Sequence, residues 1–91
     1  MTEFEKKVLR EVVKIPLGEV RSYKWVAEKI GHPRAVRAVA NALRKNKFPL
    51  FIPCHRVVRS NGDIGGYSLG KDLKKDILEM EKHIKEILNG A

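Results

Sequence analysis

Ninety-one residues, with nineteen Lys or Arg against eleven Asp or Glu, a formal net charge of +8 and one cysteine, suffice for one hydrophobic core and are too few for a second. No apolar run approaches the roughly 20 residues that cross a bilayer, the start Met1-Thr2-Glu3-Phe4-Glu5 is acidic and amphipathic rather than a signal peptide, and one cysteine excludes an internal disulfide. The expectation is a single soluble domain spanning 1–91, a monomer with no membrane partner, cytoplasmic and in a reducing compartment.

The charge is uneven along the chain. From Lys29 to Gly62 stand eight basic residues (Lys29, Arg34, Arg37, Arg44, Lys45, Lys47, Arg56, Arg59) and no acidic one, while the remainder is balanced. A block this concentrated favours a polyanionic partner, because phosphate contacts supply the sequence-independent part of nucleic-acid affinity; a solvated basic face is the plainer alternative.

Thr2 with Glu5 has the form of a capping box, and Phe4, Val8, Leu9, Val12 and Ile15 recur at helical spacing, so a core-packing helix opens the chain. Pro16 to Gly18 ends it. Ser22 suits the N-cap of a short helix over 23–30, stopped by Gly31, with Trp25, Val26 and Ile30 inward. Pro33 suits the first turn of another helix reaching about Asn46. Its apolar stripe is Val36, Val39, Ala40 and Leu43; Arg37, Asn41, Arg44 and Lys45 make a polar stripe; Ala35, Ala38 and Ala42 leave a third side nearly bare. Two helices joined at Gly31-His32, the second basic, read as a helix-turn-helix. The region 48–60 is apolar and β-branched enough for one or two short strands near Cys54, followed by a turn at Ser60-Asn61-Gly62-Asp63 and a Gly-rich loop over 65–70. Leu73, Ile77, Met80, Ile84 and Leu88 then predict a final amphipathic helix over 71–88. The fold class expected is mainly α, a small winged-helix-like helix-turn-helix domain.

The chemistry concentrates in Pro53-Cys54-His55-Arg56-Val57. A thiol is a strong nucleophile as the thiolate, and His55, Arg56 and Arg59 are near enough in sequence to favour that form. A small buried hydrophobe is the plainer reading of a lone cysteine.

Pro-Cys-His-Arg-Val resembles the active-site signature of the O6-alkylguanine-DNA alkyltransferases. Gly18-Glu19-Val20 with Ser22-Tyr23, then Arg37-Ala38-Val39, Asn46, Tyr67-Ser68 and Glu81 fall in the order that family shows. The resemblance covers about 8–81 and corresponds to the C-terminal, DNA-binding and catalytic domain of members that carry a further N-terminal one. It implies that Cys54 takes an alkyl group, mainly methyl, from O6-alkylguanine in double-stranded DNA held by its minor groove, in a single turnover without cofactor or metal. His55 would relay the thiol proton through a water, Glu81 would orient and charge the imidazole, and Asn46 would tie the recognition helix to the active-site segment. Tyr23, Arg37, Ala38, Asn41, Arg44 and Lys45 would contact DNA, with Arg37 filling the gap left by a flipped base and Tyr23 crowding the neighbouring phosphate. Pro49, Val57, Tyr67, Ser68 and Leu69 would surround the target guanine. From residue types alone, Glu81 could equally pair with Lys85 one turn on. Two other functions fit part of the pattern: an alkyltransferase-like protein that flags damage without repairing it, although such proteins lack the cysteine, and a winged-helix regulator in which Cys54 is incidental.

Overall fold

The computed structural model describes residues 2–46, 52–61, 63–65 and 69–90. Among them stand four α-helices and two short strands, in the order α1 (Glu3–Val13), β1 (Arg21–Ser22), α2 (Tyr23–Lys29), α3 (Val36–Arg44), β2 (Val57–Val58) and α4 (Lys71–Gly90), with a 3-10 turn at Cys54–Arg56 just before β2.

Helix α1 begins where its sequence says. The Glu5 amide donates to Thr2 Oγ1 and the Thr2 amide to Glu5 Oε1, each at 3.1 Å, which satisfies two orphan donors and stabilises the start by about 1 kcal/mol. Its inward face, Val8, Leu9 and Val12, continues through Ile15, and all four are buried. Each such side chain removed from water stabilises the fold by roughly 1.5–3 kcal/mol. Ser22 caps α2 by accepting the Trp25 amide at 2.9 Å. Val26 and Ala27 are fully buried, whereas Trp25 and Ile30 are half-buried at the edge of the same core. Gly31, at φ +83°, reverses the chain after α2, and the His32 amide returns to the Ala27 carbonyl at 2.9 Å.

Helix α3 is shorter than the sequence suggests. Pro33 and Arg34 lie in a turn closed by the Ala35 amide on the His32 carbonyl, 2.9 Å, and the helix starts at Val36 after Ala35 with no side-chain cap. A proline fixes φ for a type I turn as readily as for a first helical turn. Val39 and Leu43 enter the core with Ala42, so the alanine side is not bare: Ala42 is packed and Ala38 is exposed. Helices α1, α2 and α3 share one cluster, which also receives Tyr23, Cys54 and Val57.

The strands form a parallel pair, Arg21 opposite Val57 and Ser22 opposite Val58. The pairing brings the start of α2 beside the turn that carries Cys54. β2 lies in the region expected for strands; β1 carried no sequence signal of its own. Helix α4 corrects a further expectation. Leu73, Met80, Ile84 and Leu88 are exposed, and its buried side chains are Lys74 and Glu81. Polar groups go inside here because partners from distant segments meet them.

Candidate active site and nucleic-acid interface

Cys54 opens the 3-10 turn. Its amide donates to the Ile52 carbonyl at 2.7 Å, and the Arg56 amide to that of Pro53 at 2.9 Å, holding the thiol at the edge of the core, 4 % exposed. Asn46, just beyond α3 and itself buried, donates Nδ2 to the Ile52 carbonyl at 3.2 Å and hydrogen-bonds the Cys54 sulfur. The end of α3 and the turn that carries Cys54 are therefore joined through one amide side chain.

Glu81 reaches this turn from α4. His55 Nε2 is 2.9 Å from Glu81 Oε2, and Arg56 grips the same carboxylate with Nε on Oε1 at 3.0 Å and Nη2 on Oε2 at 2.7 Å, while its Nη1 donates to the Ile15 carbonyl at 2.8 Å. Burial alone would raise the Glu81 pKa, but the hydrogen bonds from Arg56 and His55 outweigh it and hold the carboxyl below its ordinary value. An ionised Glu81 only accepts, so Nε2 carries the imidazole proton and the neutral ring keeps its lone pair on Nδ1. The ordinary surface pair is not formed: Lys85 lies 3.7 Å from Glu19.

Arg56 thus serves the carboxylate and not the thiol, which revises the expectation drawn from its nearness in sequence. The Cys54 thiol is pushed above its ordinary pKa, by burial first, against lowering contributions from the Asn46 hydrogen bond and the positive charge of Lys74. Lys74 was missed. The signal was present in its spacing, because it precedes Glu81 by two helical turns and shares its face.

In front of the thiol lies a cleft of about 560 Å³, lined among the described residues by Tyr23, Val36, Arg37, Ala40, Leu43, Arg44, Cys54 and Arg59. Two arginines of α3 and one beyond β2 therefore surround the mouth of a pocket that ends on a cysteine, a basic surface suited to phosphates. Arg37, Ala38, Asn41, Arg44 and Lys45 are exposed on α3 and its C-cap. Tyr23 lies in the core cluster, 9 % exposed, with its hydroxyl 3.4 Å from Lys74 Nζ, and lines the cleft. Val57 is wholly buried in β2, and Leu69 is exposed. Pro49, Tyr67 and Ser68 lie outside the described residues. Among the described residues no cluster of His, Cys, Asp or Glu could hold a metal ion, and no helix is long and apolar enough to cross a membrane.

Comparison with known proteins agrees with this geometry. The chain is 48% identical over 81 residues to a probable methylated-DNA–protein-cysteine methyltransferase of Acanthamoeba polyphaga mimivirus, covering 89% of this chain and 54% of that one. The crystal structure of Mycobacterium tuberculosis OGT in complex with DNA superposes with a TM-score of 0.89 at 41% identity, over 91% of this chain and 52% of that one. Schizosaccharomyces pombe Atl1, in complex with damaged DNA containing O6-carboxymethylguanine, gives a TM-score of 0.80 at 37% identity, over 89% of this chain and 77% of that one. The chain spans about half the length of the curated relatives it matches. Residues 3–83 match the DNA-binding domain of 6-O-methylguanine DNA methyltransferase, and with a cysteine backed by a His-Glu-Arg cluster behind a basic cleft, the chain belongs to that family.

Proposed function

We propose that this chain repairs DNA by direct reversal, taking the alkyl group of O6-alkylguanine onto Cys54, and that it corresponds to the C-terminal domain of the family's two-domain members. The observation that carries the reading is the placement of Cys54 in the lining of an arginine-lined cleft, with the adjacent His55 2.9 Å from Glu81. Duplex DNA is bound through its minor groove by α3, and the damaged base, unreachable inside the stack, rotates into the cleft while Arg37 occupies its place. The cost of unstacking is a few kcal/mol.

In the transfer, the Cys54 proton passes by way of a water to His55, whose charge Glu81 offsets, and the sulfur attacks the alkyl carbon in line. The S–C bond forms as the C–O6 bond breaks, the electron pair stays on the guanine, shared between O6 and N1, and N1 takes up a proton to restore the 6-keto base. The thiol pushed up by burial fits this order of events: it stays protonated and inert until a base and a substrate are both present. The thioether that results is stable, and with one cysteine in the chain no second thiol is at hand for exchange.

The protein is therefore consumed by its reaction. With methyl-labelled O6-methylguanine duplex in excess, transfer should plateau at one methyl per chain, and Cys54→Ser should bind the duplex and transfer nothing; continued turnover would refute the single-use mechanism. The likeness to Atl1 supports a second reading, recognition of alkylated bases without repair, which binding with no transfer by the unaltered chain would favour.

A further inference from the structure

Two charged side chains of α4 point inward from one face. Glu81 is engaged by His55 and Arg56. Lys74 has no part in that cluster, yet it is the largest fully buried side chain among the described residues, at 0 % exposure. An ammonium taken out of water costs several kcal/mol unless hydrogen bonds and a counter-charge offset it, so a lysine held here calls for both. Its Nζ donates to the carbonyls of Ile64 at 2.6 Å and Val57 at 2.7 Å and reaches the Tyr23 hydroxyl at 3.4 Å. These acceptors are neutral oxygens, and they belong to three different segments: the loop after β2, β2 itself, and the start of α2.

The charged and titratable groups that face the ammonium are Cys54 from the 3-10 turn, Tyr23 from α2, and Asp63 and Arg59 from the loop after β2. Ionised Cys54 and Asp63 favour the ammonium and Arg59 opposes it. Asp63 is exposed and shared with Lys71 at 3.5 Å, so water and a second cation screen its influence. When Cys54 gives up its proton, its thiolate is the less screened negative charge facing the ammonium.

We propose that Lys74 is a positioning residue for the alkyl transfer: its ammonium fixes the β2 backbone, the following loop and the Tyr23 wall around Cys54, and supplies the positive charge against which the thiolate forms. This rests on the reading of Cys54 as the nucleophile. Burial brings the Lys74 pKa down to about 8 and raises that of the thiol, and the coupling is reciprocal, each ionised form stabilising the other. At neutral pH Lys74 is mostly charged and aids the thiolate; above its own pKa that aid disappears.

Two measurements on the full chain test the inference, and neither needs a damaged base. The first follows Cys54 labelling by iodoacetamide against pH in the wild type and in Lys74→Met and Lys74→Gln. Loss of the charge should slow labelling about tenfold at pH 7, equivalent to one unit of thiol pKa, and the curves should converge above pH ~10, where the wild-type ammonium is also gone. The second requires no change at Lys74: nitrogen-detected NMR of the Lys74 amine in the wild type and in Cys54→Asp, which places a permanent negative charge where the thiolate forms. With a carboxylate in place of the neutral thiol the lysine should titrate higher by about half a pH unit or more. Equal lysine midpoints in the two chains, or variant labelling curves parallel to wild type at every pH, would overturn the proposal and leave Lys74 a structural tie. Methyl transfer from O6-methylguanine duplex, run in parallel, tests the functional reading separately: wild-type chains that label as expected but take no methyl would sink that reading alone.

Discussion

Two cationic or proton-bearing side chains, His55 and Arg56, converge on the Glu81 carboxylate, so replacing that carboxylate by an amide tests both stability and chemistry at a single atom. Glu81→Gln should leave DNA binding intact and slow methyl transfer at pH 7 by about 10²-fold, the lower end of what a positioned base contributes. Part of the rate should return at alkaline pH, where the thiolate forms without help. Stability should follow the opposite limb of the pH scale. Hydrogen bonds from Arg56 and His55, outweighing burial, hold the Glu81 carboxyl below its ordinary value in the folded chain; its contribution is then present above that ordinary value and is lost as pH falls through the lower folded pKa. Urea unfolding should therefore show wild type more stable than Glu81→Gln at pH 7, with the gap closing toward pH ~3; a gap that persists in acid would contradict the assignment. Cys54 and His55 stand out as a local motif, whereas Asn46 and Glu81 entered through the family resemblance, and the fold brings all four together. Arg56 and Lys74 were not legible, since what each touches, Ile15 and Glu81 for the one and Tyr23, Val57 and Ile64 for the other, is far away in sequence, and a buried charge is inferred from its partners.

The helices whose caps are local were read with their ends in place: Thr2 with Glu5, and Ser22 ahead of α2. Helix α3 was read too long because Pro33 is compatible with both a turn and a first helical turn, and the carbonyl of His32 decides for the turn. The last helix was placed correctly and faced wrongly. Its apolar periodicity is real, but Leu73, Met80, Ile84, Ile87 and Leu88 are exposed, since the contacts α4 makes with the active-site turn run through Glu81 and Lys74. The loop beyond β2 depends on one glycine. Gly65 holds φ +78°, and a Cβ there would sit 2.9 Å from the Tyr23 hydroxyl, a backbone conformation and a contact that both exclude a side chain. Gly65→Ala should cost about 1–3 kcal/mol and lower the thermal midpoint by several degrees. It should also slow methyl transfer beyond the loss in folded protein, because Tyr23 walls the cleft and accepts from Lys74. An unchanged midpoint would show that Tyr23 yields easily.

Over the whole molecule, charge and hydrophobicity are segregated in sequence before they are segregated in space. Arg37, Arg44 and Arg59 of the basic block from Lys29 to Gly62 line the cleft, while the apolar residues of α1, α2 and α3 pack into one cluster that includes the cysteine. The cysteine's place in both could be read from the chain because the thiol sits between an apolar run and a basic one. The parallel pairing of β1 with β2 could not, since two residues per strand carry no periodicity and their register is set by the packing around them. Under the proposed function the arrangement serves one chemical outcome, an alkyl group on Cys54. The most direct measurement is intact-protein mass spectrometry with peptide mapping, after incubation with an equimolar duplex that carries O6-methylguanine and, separately, with the undamaged duplex. The prediction is a mass gain of one methyl in place of one hydrogen, located on Cys54, with the damaged duplex alone; an unchanged mass in a chain that binds the damaged duplex would contradict it.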